Sequence, residues 1–323
     1  MRSVLLKEIG LLAMEDIPVP EPGPGQVLLR VSRCALCRTD AKMWSQGQRD
    51  LILPRVLGHE ICGIREGTDE RFVVWPGEAC GRCVQCVGRA ENLCEEMKIL
   101  GFNRDGGLAE KVLVPESSLI SVPAALADDA ACLAEPLACA FNALEQANLS
   151  AGHTLLILGG GAVGLLIALA AKTAGACPFI VEISPEKLSK SEAFRNRLDI
   201  RAGASCDYGS FDVAVNACSA DDTLLAGISR LKSSGCFCFF SGFTGEKPFP
   251  VKALNEIHYR QLRVVGAYGC TRAQMARSLP VLDEFQKEVR LLIEQEIRLG
   301  ETAQGLSTVL AGEVLKIVVN MEA

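Results

Sequence analysis

The sequence predicts an α/β protein in which a doubly wound parallel sheet follows a β-rich first part of the chain. Three observations carry this. Thr154 to Gly175 reads TLLILGGGAVGLLIALAAKTAG, a short branched apolar run, a glycine cluster and an unbroken apolar run of helical length. Beyond it, apolar runs of strand length alternate with helical ones, as parallel strands joined by helices require. Ahead of it, from Val4 to about Val31, apolar runs alternate with turns, and the prolines there argue against helix.

In chain order, PVPEPGPG at Pro18 to Gly25 is a rigid, turn-rich connection, and Gln26 to Val31 is a strand. CALCRTD (Cys34 to Asp40) and PRVLGHE (Pro54 to Glu60) come next, then EACGRCVQCVGRAENLC from Glu78 to Cys94. Gly106 and Gly107 open a further strand, LAEKVLVP. From Asp128 the composition turns helical and leads into the glycine cluster. After it, SPEKLSKSEAF reads as a capped helix, Phe211 to Ala217 as a strand and Asp221 to Lys232 as a helix. Cys236 to Ser241 and Leu262 to Gly266 read as strands, Thr271 to Glu296 as helical and charged, and Leu315 to Val319 as a last strand. There is no internal repeat and no low-complexity segment.

The glycines fit G-x-G-x-x-G at Gly159, Gly161 and Gly164, with Ala162 and Val163 inside the motif. The first allows a tight turn, the second close backbone approach to a pyrophosphate, and the third close packing of helix on strand. The helix that starts there offers unpaired N–H groups and partial positive charge to phosphates. A second apolar run, Pro178 to Val181, ends in Glu182, an acid placed to accept hydrogen bonds from a ribose. Its carboxylate would repel a 2′-phosphate, and Ile183 and Ser184 bring no cation, so NAD is expected rather than NADP. Lys187 and Lys190, further on, have the plainer reading of solvated helix charges.

The chain has 323 residues, enough for two domains, and is 49% hydrophobic with a formal charge of -6. That balance disfavours a binder of nucleic acid or of an acidic membrane surface, which would carry a basic excess. The longest apolar stretch, Leu155 to Ala171, is split by the glycine turn, so no membrane span is expected. MRSVLLKEI at the start lacks the apolar core of a secretory signal. The 15 cysteines are odd in number, and most of those outside one cluster lie singly in apolar surroundings, which suits a reducing cytoplasm better than a disulfide framework. Cys132, Cys139, Cys236 and Cys238 read as small core residues.

Cys80, Cys83, Cys86 and Cys94 are spaced C-x2-C-x2-C-x7-C. Four thiolates in one short loop can close a tetrahedron around Zn²⁺ with no open position, a structural site. An iron–sulfur motif would have a closer fourth cysteine followed by proline, whereas Glu95 follows Cys94. A zinc ribbon on nucleic acid is disfavoured by the acidic balance. A second constellation is dispersed along the chain. Cys37, His59 and Glu135 offer a thiolate, an imidazole and a carboxylate, three ligands that leave a fourth place open on a zinc ion. Glu60 adjoins His59 and is a further direct or exchanging ligand; Asp40 is an acceptor for the His59 ring N–H, fixing its tautomer. Taken singly, each has a plainer reading: Cys37 in the core, His59 in a turn, Glu135 as a first-turn helix acid. Spacing alone does not choose between the two.

These pieces together resemble the zinc-containing medium-chain dehydrogenases, which act on alcohols, sorbitol and other polyols, and threonine. The resemblance rests on CRTD at Cys37, GHE at Gly58, the cysteine cluster, DGGLAE at Asp105, AEP at Ala134 and GGGAVG at Gly159, in the family's order along nearly the whole chain. It implies a GroES-like β-barrel catalytic domain from 1–133 and 269–323, with a structural zinc lobe at about 78–95, and a Rossmann domain at 134–268. It implies a catalytic zinc on Cys37, His59 and Glu135, with Glu60 as fourth or alternating ligand, and a second, structural zinc. Thr39 matches the hydroxyl that passes the alcohol proton outward, and Arg38 a contact to the cofactor pyrophosphate. The acid in AEP looks like the polyol and threonine branch. Two departures stand out. Lys42 occupies the place of a relay histidine, so the relay ends at Lys42 or at solvent. The segment between Glu60 and Val74 is short for the family, as if a strand or loop were trimmed.

The expected reaction is reversible oxidation of a secondary alcohol, with zinc as Lewis acid on the substrate oxygen, hydride passing to the nicotinamide and the proton leaving through Thr39. A zinc-free enone or quinone reductase on the same fold should lack both metal sets, and a non-catalytic nucleotide or redox sensor would tolerate loss of Thr39 or of a ligand. The segment Leu262 to Tyr268 either pairs across a subunit edge, as in family dimers and tetramers, or is buried in its own sheet. Trp44, Phe102 and Asn103 are candidates to line a substrate pocket; the sequence does not name the substrate.

Overall fold

The computed structural model describes residues 1–206, 209–243, 248 and 250–322. The chain divides into two compact units, Met1–Ala138 with Cys270–Ala323, and Cys139–Gly269.

In the first unit, the ten-residue strand Gln26–Ala35 is the spine. It pairs antiparallel with Glu60–Arg65, Lys111–Pro115 and Lys316–Asn320, so both chain ends contribute to one sheet. Alternation along it (Val27, Leu29 and Val31 buried) turns one face to a core that includes Leu6, Leu36, Met43, Leu57, Ile61 and Leu108. Glu60–Arg65 returns directly as Arg71–Val74, an antiparallel hairpin that spans the segment read as short. Arg2–Glu8, Leu11–Asp16 and Arg55–Val56 form a separate three-stranded sheet.

One expectation fails here. The charged stretch read as helix up to Glu296 is helical only over Arg272–Glu284 and Gln286–Val289, with a 3₁₀ turn at Arg290–Leu292. Ile293–Arg298 is a strand, paired parallel to Lys316–Asn320. Ile293 and Ile297 are four apart, a spacing that serves a helix face and one strand face equally, and sheet pairing decides between them.

The second unit is a six-stranded parallel sheet in the order 201–203, 177–181, 154–158, 211–216, 231–239, 263–266. Its strands run in register as Leu155 beside Pro178 and Val213, and Cys236 beside Arg263. Branched and aromatic residues such as Ile157, Ile180, Val215 and Phe237 are buried, as expected for a sheet covered on both faces. The edge strand Arg201–Gly203 was not legible; at three residues, with no branched side chain, it lacks a strand signature. Ser184 caps the helix Pro185–Lys190 by accepting from the Lys187 N–H at 3.3 Å. No helix among the described residues is long and apolar enough to cross a membrane.

Candidate metal and cofactor sites

In the first unit, Cys37 ends the extended backbone after the central strand and caps the helix Arg38–Gln46. Its sulfur accepts from the Thr39 N–H at 3.4 Å, and its own N–H donates to Asp40 Oδ2 at 3.0 Å, a reciprocal capping box. Asp40, fully buried, extends from this turn to the next one: Oδ1 accepts from the Gly58 N–H at 3.2 Å and lies 3.2 Å from His59 Nδ1. Gly58 has φ +96°, and a Cβ there would sit 2.8 Å from Cys34 Sγ and 2.9 Å from Leu108 Cγ, so only glycine turns the chain at this point. With the two turns locked together, Cys37 Sγ, a His59 nitrogen and a Glu60 oxygen all lie within 4.8 Å of one another.

The electrostatics pull in opposite directions within the trio: burial pushes the Glu60 carboxyl up, partly offset by the Lys316 charge. Burial pushes the His59 imidazole down, but the charge and hydrogen bond of Asp40, with a hydrogen bond to Cys37, hold its pKa well above the ordinary histidine value. A metal bound there would displace that proton, and Nδ1 facing Asp40 leaves Nε2 as the ligand atom. Glu60 is fully buried, and its Oε2 meets the Lys316 ammonium at 2.6 Å as an ion pair outside hydrogen-bonding geometry. A buried carboxylate beside a sulfur and an imidazole fits a zinc ion.

Lys316 had no place in the sequence expectations, yet it completes this arrangement. Its Nζ lies 2.7 and 2.6 Å from the two Glu60 oxygens and donates to the Leu36 carbonyl at 3.2 Å. Burial works against the ammonium, but the Glu60 carboxylate outweighs it and holds the Lys316 pKa above the ordinary lysine range. The signal was present in LKIVV, where a lysine interrupts an otherwise apolar strand. Glu135 stands outside the trio, in the first turn of Ala134–Gln146, though its charge bears on the Glu60 carboxyl. Thr39 is half-buried and Arg38 exposed, both in the helix's first turn. Lys42, one turn on, has its pKa lowered by burial and by the Arg38 charge, partly offset by Cys37. Phe102 packs edge-on to the His59 ring, with centroids 5.5 Å apart.

The cysteine lobe is pinned at its base by the paired strands Gly77–Glu78 and Lys98–Ile99. Cys80, Cys83, Cys86 and Cys94 bring their sulfurs within 4.8 Å of one another. The Cys83–Cys86 and Cys80–Cys86 separations are 3.5 and 4.0 Å. These bracket the edge of about 3.8 Å for four sulfurs placed about 2.3 Å from a tetrahedral zinc. Backbone N–H groups already point at sulfur: Cys80 N–H to Cys94 at 3.2 Å and Cys83 N–H to Cys80 at 3.4 Å. Such donors bring the Cys83 thiol down to about 6. Val84 and Val87 are 71% and 74% exposed, so the lobe has little apolar core to hold it without a metal.

In the second unit, Gly159 leaves the strand Thr154–Leu158 at φ +119°. A Cβ at Gly164 would collide with the Gly159 carbonyl oxygen, which is the close helix–strand packing expected of it. Gly161, the N-cap of Ala162–Thr173, faces open space, with nothing within 4 Å of where a Cβ would sit. Ala162 and Val163 form the first turn behind it. Glu182, 8% exposed, accepts from the Gly160 N–H at 2.8 Å through Oε2 and from the Ser184 N–H at 2.9 Å through Oε1. Each oxygen keeps a further lone pair for a ribose hydroxyl.

Residues 23–124 match the family described as Alcohol dehydrogenase GroES-like domain. Over 99% of both chains, the protein is 26% identical to L-threonine 3-dehydrogenase of Rhizobium etli (strain CIAT 652). Residues 23–124 thus carry the GroES-like domain of alcohol dehydrogenases, and the chain as a whole is similar to zinc-type medium-chain dehydrogenases. An uncharacterized zinc-type alcohol dehydrogenase-like protein of Haemophilus influenzae is 33% identical to the protein over 60% of this chain, and the match spans 59% of that relative. A crystal structure described as a zinc-binding dehydrogenase from Sinorhizobium meliloti 1021 bound to NADP superposes with a TM-score of 0.88, at 26% identity over 99% of this chain and 98% of that one. The protein is an NAD(P)-dependent alcohol oxidoreductase that uses zinc and acts on a small molecule. The sensor and zinc-free readings give way to this one.

Proposed function

We propose that the protein interconverts a secondary alcohol, of polyol or amino-alcohol type, and its ketone with NAD, using one catalytic and one structural zinc. The observation that carries this is the convergence of Cys37, His59 and Glu60 within 4.8 Å, with Asp40 behind the histidine. Zinc held by these residues would supply a Lewis acid for the substrate oxygen, and bound NAD would supply the hydride acceptor. The chain's own groups do the rest. Asp40 fixes the His59 ring, and Lys316 holds Glu60 in the role of exchanging ligand. Glu135, on a separate helix, remains the other acid in the ligand set. The Thr39 hydroxyl takes the alcohol proton outward, with Lys42, whose lowered pKa eases proton exchange, at the end of the relay. In the second unit the N–H groups at Gly161, Ala162 and Val163 would cradle the pyrophosphate, and Glu182 would read the ribose.

Glu182 supports NAD over NADP because a 2′-phosphate would meet a buried carboxylate, although one structural relative was solved with NADP. Assembly as a homodimer, or a homotetramer built from it, is supported by the edge strand Arg263–Gly266, whose Val264 is 45% exposed, and by Tyr268, 42% exposed beyond it. The 15 free thiols support a reducing cytoplasm. Metal analysis tests the reading: two zinc per chain are expected. Cys37→Ala should remove one of them and abolish turnover of a panel of polyols, amino alcohols and simple secondary alcohols while the protein stays soluble. Full activity in that variant would refute the assignment.

A further inference from the structure

The second unit carries a buried polar side chain that the proposed chemistry does not use. Asn216 is the last residue of the strand Phe211–Asn216 and has no exposed surface. Its strand lies between Thr154–Leu158, which ends in the glycine turn, and Leu231–Phe239. In a parallel sheet of this kind, ligands bind beyond the carboxyl ends of the strands, where these three chains leave the sheet.

A primary amide has two N–H donors and an oxygen with two lone pairs. Asn216 uses all four on backbone. Its Nδ2 donates to the Ser241 carbonyl at 2.7 Å and the Cys218 carbonyl at 3.3 Å. Its Oδ1 accepts from the Phe240 N–H at 2.7 Å and the Ser241 N–H at 3.3 Å. One side chain thus ties the segment after its own strand to the segment after the next. The first of these reaches the glycine turn: the Ala217 N–H donates to the Leu158 carbonyl at 2.8 Å, and a Cβ on Gly159 would lie 3.0 Å from the Ala217 oxygen. Leucine would take a bond from the Cys218 and Ser241 carbonyls and the Phe240 N–H, leaving the Ser241 N–H only its 3.2 Å bond to the Asn216 main-chain carbonyl, and aspartate would lose both donors and set a charge against two carbonyls.

We propose that Asn216 is a positioning residue of the cofactor site, fixing the backbone segments at Ala217–Cys218 and Phe240–Ser241 on which the dinucleotide rests. This depends on the reading of this unit as the nicotinamide-cofactor domain. A core-filling role would need only shape, whereas a positioning role needs every bond direction; Asn216→Asp keeps the shape and the two acceptor sites while losing both donors.

The test uses the full chain loaded with zinc. NADH binding is titrated by fluorescence for the unaltered protein and for Asn216→Asp, at a temperature well below either melting point. A rise of about tenfold or more in the NADH dissociation constant is expected, a loss of about 1.4 kcal/mol or more of binding, with zinc content unchanged. A lowered melting temperature with NADH affinity within about twofold of the unaltered protein would leave Asn216 a purely structural role and overturn the proposal. A second measurement does not require the variant to fold. In the unaltered protein, NADH should slow hydrogen exchange at the Phe240 and Ser241 amides, and no change there would also overturn it. If the unaltered chain binds neither NADH nor NADPH, it is the cofactor reading itself that fails.

Discussion

Lys316→Met tests how the buried charges beside the metal trio are balanced. The Lys316 and Glu60 side chains are 5% and 1% exposed, and the ammonium sits 2.6 to 2.7 Å from both carboxylate oxygens. Removing one partner of such a pair leaves a buried, uncompensated charge and costs about 3–5 kcal/mol, whereas replacing both by apolar groups of similar size is close to neutral. For a unit of this size each kcal/mol moves the midpoint by about 2–4 °C, so Lys316→Met should lower the first thermal transition by roughly 6–20 °C. Glu60→Gln combined with Lys316→Met should recover most of that loss. The assay is calorimetry on zinc-loaded protein for the four members of the cycle. The pH dependence follows from the sign of the shift. The Lys316 pKa is raised in the folded protein, so its contribution is fully present below the unfolded lysine value of about 10.4 and is lost only as pH climbs through the folded value. The Lys316→Met penalty should therefore be flat from about pH 6 to 9. A single variant that melts within about 1 °C of the parent, or a double variant worse than the single one, would refute the reasoning.

Two further outcomes follow. Burial pushes the Asp212 carboxyl up, but hydrogen bonds from Lys232 and from the Thr154 N–H and O–H outweigh it and bring the pKa down to about 2. Its folded value is depressed, so Asp212→Asn should cost about 1–2 kcal/mol above pH ~4, and the difference should fade as pH falls toward 2, as urea titrations at several pH values would show. Gly164→Ala drives a methyl into the Gly159 carbonyl oxygen, so it should displace the helix and abolish NADH binding while leaving zinc content at the parent value; retained NADH affinity would contradict the packing argument.

What the sequence disclosed depends on whether a feature is local. The glycine turn was legible because one short stretch must satisfy a positive φ and close packing at once, and only glycine does so at Gly159 and Gly164. The four lobe cysteines were legible for the same reason: their ligand geometry is written within a single loop. Cys37 and His59 lie on different turns, and nothing in their separation says that Asp40 locks those turns together; ligand chemistry suggested the set, and the family resemblance chose it over the plainer readings. Lys316 went unseen because its partner, Glu60, is 256 positions away. Ile293–Arg298 was misread because its spacing is degenerate between two periodicities, and long-range pairing resolved it.

The sulfur of Cys37 has a second duty that constrains how the site can be altered. As the N-cap of Arg38–Gln46, it starts the helix on which Thr39 and Lys42 ride. Serine and aspartate are also good starters, so either can preserve the helix while withdrawing the soft donor, whereas alanine surrenders both. Soft-donor chemistry and helix initiation can therefore be pulled apart experimentally at one position, and a lineage that changed its metal preference here would have had acceptable replacements already limited to side chains able to begin a helix.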